Sequence, residues 1–73
     1  MAGNVSQLKK EITSKAGPMG KIVVKKQMKK LGLSGDDVSG SDLDKLIEES
    51  VKSAIADSSK HQEIISELKS KLK

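Results

Sequence analysis

Four groups of residues in this chain have types and spacings that could carry chemistry. The first is Gly17-Pro18-Met19-Gly20-Lys21, which has the look of a phosphate-binding loop. A Walker loop places a glycine five residues before its Gly-Lys pair and a serine or threonine after it. Here Lys15 and Ile22 occupy those positions and no strand-forming run precedes, so the segment reads as a helix–helix turn. The weaker functional reading is an anion held by free amides at the start of the next helix. The second group is Asp37, Ser39, Ser41 and Glu48, at positions 1, 3, 5 and 12 of an EF-hand loop. The glycine needed at position 6 is Asp42 and position 9 is Lys45, so helix capping with solvated acids accounts for the pattern better than calcium. The third is His61, the one imidazole, with no cysteine and no second histidine to join it in a metal site. It reads as a half-exposed side chain in the first turn of the last helix. No nucleophile–base–orienter set is suggested anywhere, and the expectation is a protein that is not an enzyme and uses no metal or cofactor.

The fourth group is lysine. Lys21, Lys25 and Lys29 recur every four residues and share one helical arc. Charge is also sorted along the chain. Residues 1–31 hold eight lysines against Glu11, residues 32–57 hold seven acids against Lys45 and Lys52, and residues 58–73 hold four lysines against Glu63 and Glu67. The overall +4 therefore hides a basic block joined to an acidic one. Arginine is absent, as are Phe, Trp and Tyr. Lysine is a mobile point charge, whereas arginine supplies the bidentate fork that reads guanine and phosphate. A sequence-specific nucleic-acid reader is thus disfavoured, and so is an interfacial membrane helix, which draws on Trp or Phe. The acidic start of the third helix also argues against a helix-turn-helix, whose second helix enters the major groove by that end.

The elements that must position these residues follow from punctuation. Asn4 is expected to cap a first helix over about 5–16, with Gln7 in the capping-box position and Val5, Leu8 and Ile12 as its stripe. A second helix over 19–31 follows Pro18 and ends at Gly32 in the left-handed position, with Leu33 folding back onto Met28. Met19, Ile22 and Val23 lie on one side of it and Val24, Met28 and Leu31 on an adjoining side, which predicts a central helix touching two neighbours. The Ile-Val-Val run favours strand locally, but one isolated strand has nothing to pair with. Residues 34–40 read as a polar connection with one helical turn at 36–38. A third helix over 42–57 is capped by Ser41, with Asp44 as box partner and Leu43, Leu46, Ile47, Val51, Ala54 and Ile55 inward. A fourth over 60–72 is capped by Ser58 or Ser59 and carries Ile64, Ile65, Leu68 and Leu72.

The chain therefore reads as one all-α domain over 1–73, a compact bundle of three long helices or four. Neighbours are mostly antiparallel because the loops are short, and the core is aliphatic without aromatics. The longest apolar run is Ile22-Val23-Val24, and residues 1–5 show no signal-peptide pattern, so the expected location is the cytoplasm.

The run from Gly17 to Leu33, together with Asp42-Leu43 and Leu46-Ile47, resembles a small helical domain of archaea and some bacteria, found alone or fused to regulatory and signalling proteins. The similar positions cover about two-thirds of the chain and are mostly core and turn residues. The resemblance implies a helical interaction module of unknown function, with no catalytic residues to carry over. Asp57-Ser58-Ser59 stands where the pattern opens the last helix with glycine.

The functional expectation is a protein–protein interaction module, with a second copy among the candidate partners. Its candidate contacts are Met19, Lys21, Lys25, Lys29 and Leu33. The alternative is nonspecific nucleic-acid binding through the lysine stripe of the second helix, with Lys9, Lys10, Lys25, Lys26 and Lys30 as candidate phosphate contacts.

Overall fold

The computed structural model describes residues 3–38 and 40–72. Four helices run in chain order: α1 (Asn4–Ala16), α2 (Met19–Leu31), α3 (Gly40–Ala54) and α4 (His61–Leu72), the last preceded by a 3₁₀ turn at Ser58–Lys60. No strand forms among the described residues, and Ile22-Val23-Val24 lies within α2. Helices α1 and α3 each pack against all three of the others, and α2 and α4 flank that pair.

Each helix exists because one stripe can be buried. Val5, Leu8 and Ile12 of α1 meet Val24 and Met28 of α2, Leu43, Leu46, Ile47 and Val51 of α3, and Ile65 and Leu68 of α4 in a single core. A fully buried aliphatic side chain of this kind stabilises by about 1.5–3 kcal/mol, which is how a core without aromatics holds. Two polar side chains are buried with it. Gln27 Nε2 donates to Ser53 Oγ at 3.1 Å, tying α2 to α3. Ser50 Oγ is fully buried without a hydrogen-bond partner among the described residues.

The turn between α1 and α2 explains the Gly-Pro-Met-Gly-Lys text. Gly17 adopts φ 88°, a conformation costly to residues with a Cβ, and its N–H donates to Thr13 O at 2.8 Å. The Gly20 N–H donates to Gly17 O at 2.9 Å, so one amide of the supposed anion site is already engaged. Gly20 is buried inside α2, and a Cβ there would stand 2.7 Å from Thr13 N and 2.8 Å from the Ile12 carbonyl carbon. Its role is to let two helix backbones approach.

Several caps differ from the sequence expectation. The N-cap of α1 is Gly3, not Asn4, and the acidic connection between α2 and α3 satisfies the amides of that helix end. Gly3 N–H donates to Asp36 Oδ2 (2.9 Å), Asn4 N–H to Asp37 Oδ1 (3.2 Å), and Val5 N–H to Asp36 O (3.1 Å). The Ser6 hydroxyl donates to the same Asp36 carboxylate. The Asn4 amide, released from capping, forms a two-way pair with Val38: Nδ2 donates to the Val38 carbonyl (2.9 Å) and Oδ1 accepts the Val38 N–H (3.0 Å). The connection is therefore a latch on α1, not a helical turn at 36–38.

The third helix begins at Gly40, which puts Ser41 inside the first turn instead of at the cap, and it ends at Ala54, three residues short of the expected end. Asp57, not Ser58 or Ser59, caps the final segment, accepting the Ser59 amide (3.1 Å) and hydroxyl (2.6 Å). Those two donors, the hydroxyl foremost, hold the Asp57 carboxyl below its ordinary pKa. His61 is half-buried, its Nε2 bonded to the Ile55 carbonyl across the turn. A carbonyl only accepts, so that nitrogen carries the proton.

Candidate interaction surface

The lysines divide into two populations. On one side of the bundle they are paired across helices, Lys15 of α1 with Glu67 of α4 (3.4 Å), Lys71 of α4 with Glu11 of α1 (3.1 Å) and Lys69 of α4 with Glu48 of α3 (4.0 Å), and Lys71 also pairs with Glu67 within α4 (3.5 Å). The Lys15 ammonium, through its hydrogen bond, holds the Glu67 carboxyl below its usual range, with Lys71 adding to the effect. Glu11 in turn raises the Lys71 ammonium.

On α2, Lys21, Lys25, Lys26, Lys29 and Lys30 are exposed and make no ion pair among the described residues, and the same holds for Lys10, at the border beside Glu11 and Lys71, and for Lys45, Lys52 and Lys60 elsewhere on the bundle. Lys9, half-buried on α1, lies close enough to Asp36 for its charge to help hold that carboxyl below the usual range. The Ser6 hydroxyl is the larger cause of that shift. Among the described residues, Lys21, Lys25 and Lys29 make no ion pair with Glu48 or Glu49 of α3. Glu48, which might have met it, turns to Lys69 instead.

Within the unpaired face lies a groove of about 480 Å³. Its apolar lining, the floor, is Ile22, Met28 and Leu33, its charged lining, the rim, is Lys9, Lys25, Lys26 and Lys29, and Gly35 completes it. Local rules build it. Gly32 at φ 71° donates its N–H to Lys29 O (3.2 Å), and the Leu33 N–H donates to Met28 O (2.8 Å), the paired bonds of a Schellman cap. The expected return of Leu33 onto Met28 is thus present, and it sets Leu33 beside the helix end as part of the floor. The latch on Asp36 and Val38 holds the strand of chain that carries Leu33 and Gly35.

Of the residues singled out from sequence, Lys9, Lys25, Lys26, Lys29 and Leu33 come together in this groove. Lys21 lies next to it, sharing a smaller depression with Lys9, Ile22 and Lys25, and another with Lys9, Lys10, Thr13 and Ser14. Met19 is 60% exposed at the start of α2 and does not line the groove, and Lys30 is also outside it. The expectation that the Met19–Ile22 side of α2 would be buried is corrected, since Ile22 is 42% exposed. Helix α2 touches two neighbours, α1 and α3, with its other side, while Val23 is half-buried at the edge. Ile22, Met28 and Gly35 were not foreseen as site residues. The available signal was that Ile22 sits ~20° from Lys29 around the helix axis, within the lysine arc.

The EF-hand-like residues are engaged elsewhere. Asp37 accepts from the Asn4 amide, Glu48 pairs with Lys69, and Asp42–Glu48 is helix, while Ser39 lies outside the described residues. No helix among the described residues is long and apolar enough to cross a membrane.

Over residues 4–73 the chain matches the family described as a domain of unknown function (DUF8082). No curated protein and no solved structure matches it.

Proposed function

The chain belongs to the DUF8082 family, and we propose that its function is non-enzymatic: it binds an acidic partner protein through the lysine face of α1 and α2. The observation that carries this reading is the division of the lysines. Lys15, Lys69 and Lys71 are consumed in ion pairs within the fold, whereas Lys21, Lys25, Lys26 and Lys29 project without a carboxylate partner among the described residues. Like charges gathered on one face repel one another, and an acidic partner relieves that repulsion and is steered toward it. The same face could contact phosphates, but with neither arginine nor any aromatic residue it lacks the rigid guanidinium fork that favours base readout and any ring for base stacking.

Titration with poly-glutamate and with duplex DNA, at low and moderate salt, tests the reading. The expected result is saturable binding of the acidic polypeptide that weakens about tenfold or more in a Lys25→Glu, Lys29→Glu double variant. Absence of binding at low salt overturns the proposal. DNA binding that survives moderate salt while the polypeptide's does not would transfer the function to the nucleic-acid alternative.

A further inference from the structure

Resting on that reading, we infer that the groove over Ile22, Met28 and Leu33 is the seat for one amphipathic helix of the partner, with aliphatic residues on one face and acids along both flanks. Charge alone would need only lysines in water. Here lysines line the same groove as carbon: Ile22, Met28 and Leu33 supply its apolar lining, and cationic side chains enter it from two helices, Lys9 from α1 and Lys25, Lys26 and Lys29 from α2. A helix laid in such a groove buries its aliphatic stripe against the floor and meets an ammonium on either side, the pattern of helix-in-groove recognition. The long lysine stems also cover apolar surface while their heads stay wet, which widens the contact.

Alternative occupants fit less well. A second copy would have to present an acidic helix with a free aliphatic stripe. In α3, which is both acidic and amphipathic, Leu43, Leu46, Ile47 and Val51 are all buried in the core, so a folded copy has no such stripe to offer. A nucleic-acid backbone brings phosphates to the rim and nothing to cover the floor. The floor's exposure is modest on the α2 side, with Ile22 at 42% and Met28 at 8%, which suits a few anchoring side chains and not an extended apolar sheet.

The test uses two synthetic peptides of the same composition, rich in Leu and Glu. One has leucines at i, i+3, i+4 and i+7 to form a single face. The other has them scattered around the helix. Methyl NMR on the intact chain reads the site directly. The facial peptide should shift the methyl signals of Ile22, Met28 and Leu33 and bind at least tenfold more tightly than the scattered one. Ile22→Asp, at an exposed position where folding can be verified by circular dichroism, should remove that preference and leave the weak charge-driven binding of both. Equal affinity of the two peptides overturns the helix-in-groove inference while leaving the acidic-partner proposal standing. Failure of both to bind at low salt overturns the two together. A shift of the floor methyls on raising the protein concentration without peptide would assign the groove to a second copy and also overturn the inference.

Discussion

The two sides of α1 make the informative contrast. Toward α4, its charged residues are closed into a network: Glu11 with Lys71, and Lys15 with Glu67, which Lys71 also reaches. Toward α2, Lys9 and Lys10 face a helix whose own outward side chains are Lys21, Lys25 and Lys29, with Ile22 between them. The two sides differ in charge pattern: α4 answers Glu11 and Lys15 with the opposite charges Lys71 and Glu67, whereas α2 sets more lysines beside Lys9 and Lys10. Pairing in a small bundle is thus a property of adjacency, and a basic helix packed beside another basic helix is left as a surface for something else.

The contrast can be broken most severely at the α1–α2 crossing. Gly20→Ala forces a methyl into the backbone at Ile12 and Thr13, and overpacking of this kind costs ~1–3 kcal/mol, in excess of the ~1 kcal/mol that alanine gains as a helix former. Urea unfolding should show the loss, and an unchanged midpoint would mean that the two helices slide apart freely. Next comes the latch. Asn4→Ala removes both bonds to Val38 and should cost about 1–2 kcal/mol, with faster amide exchange at Val38 and a shift of the Leu33 methyls. Global loss without a local exchange change would refute the latch's role in holding the groove wall.

Acid should then separate the regions. The Glu67 and Asp36 carboxyls are held below their ordinary values of 4.5 and 3.8. Each therefore contributes stability above its unfolded pKa and loses it as pH falls through the depressed folded value. The paired side and the latch should loosen below about pH 4, read as a falling melting temperature that Glu67→Gln and Asp36→Asn each make less steep. Lys71, whose pKa is raised by Glu11, runs in the opposite sense: its contribution is complete below the ordinary value of 10.5 and is lost as pH climbs through the raised folded value. The smallest effect is expected on the free side. Lys25→Glu or Lys29→Glu should change stability by less than about 0.5 kcal/mol, because no partner within the described fold is lost. A larger drop would show that the stripe is in fact engaged.

Much of this was legible in residue order. The stripes Val5-Leu8-Ile12 and Ile65-Leu68, the stop at Gly17-Pro18 and the Gly32–Leu33 cap all obey rules that act within one helical turn, and the structure follows them. The caps at Asn4, Ser41 and Ser58 or Ser59 were misread for a related reason. Several polar residues stood at each helix start, and local preference alone does not choose among them. At α1 the choice fell to residues 33 positions away, Asp36 and Asp37. The groove was half legible: its lysines and Leu33 stood out, but Ile22 read as core because an isoleucine in an apolar arc usually is.

What the sequence determined by itself is an all-helical chain with an aliphatic core, and a basic face on α2 that nothing on that helix could neutralise. Those follow from periodicity, composition and the reach of a side chain over one turn. The tertiary structure decided which charges meet, since Lys15 and Glu67 are 52 residues apart and Glu11 and Lys71 are 60 apart. It also decided that Ile22 lies in a groove instead of the core. Both depend on which helices lie side by side, and that is settled by the summed packing of four stripes and one close glycine contact, not by any residue's own preference.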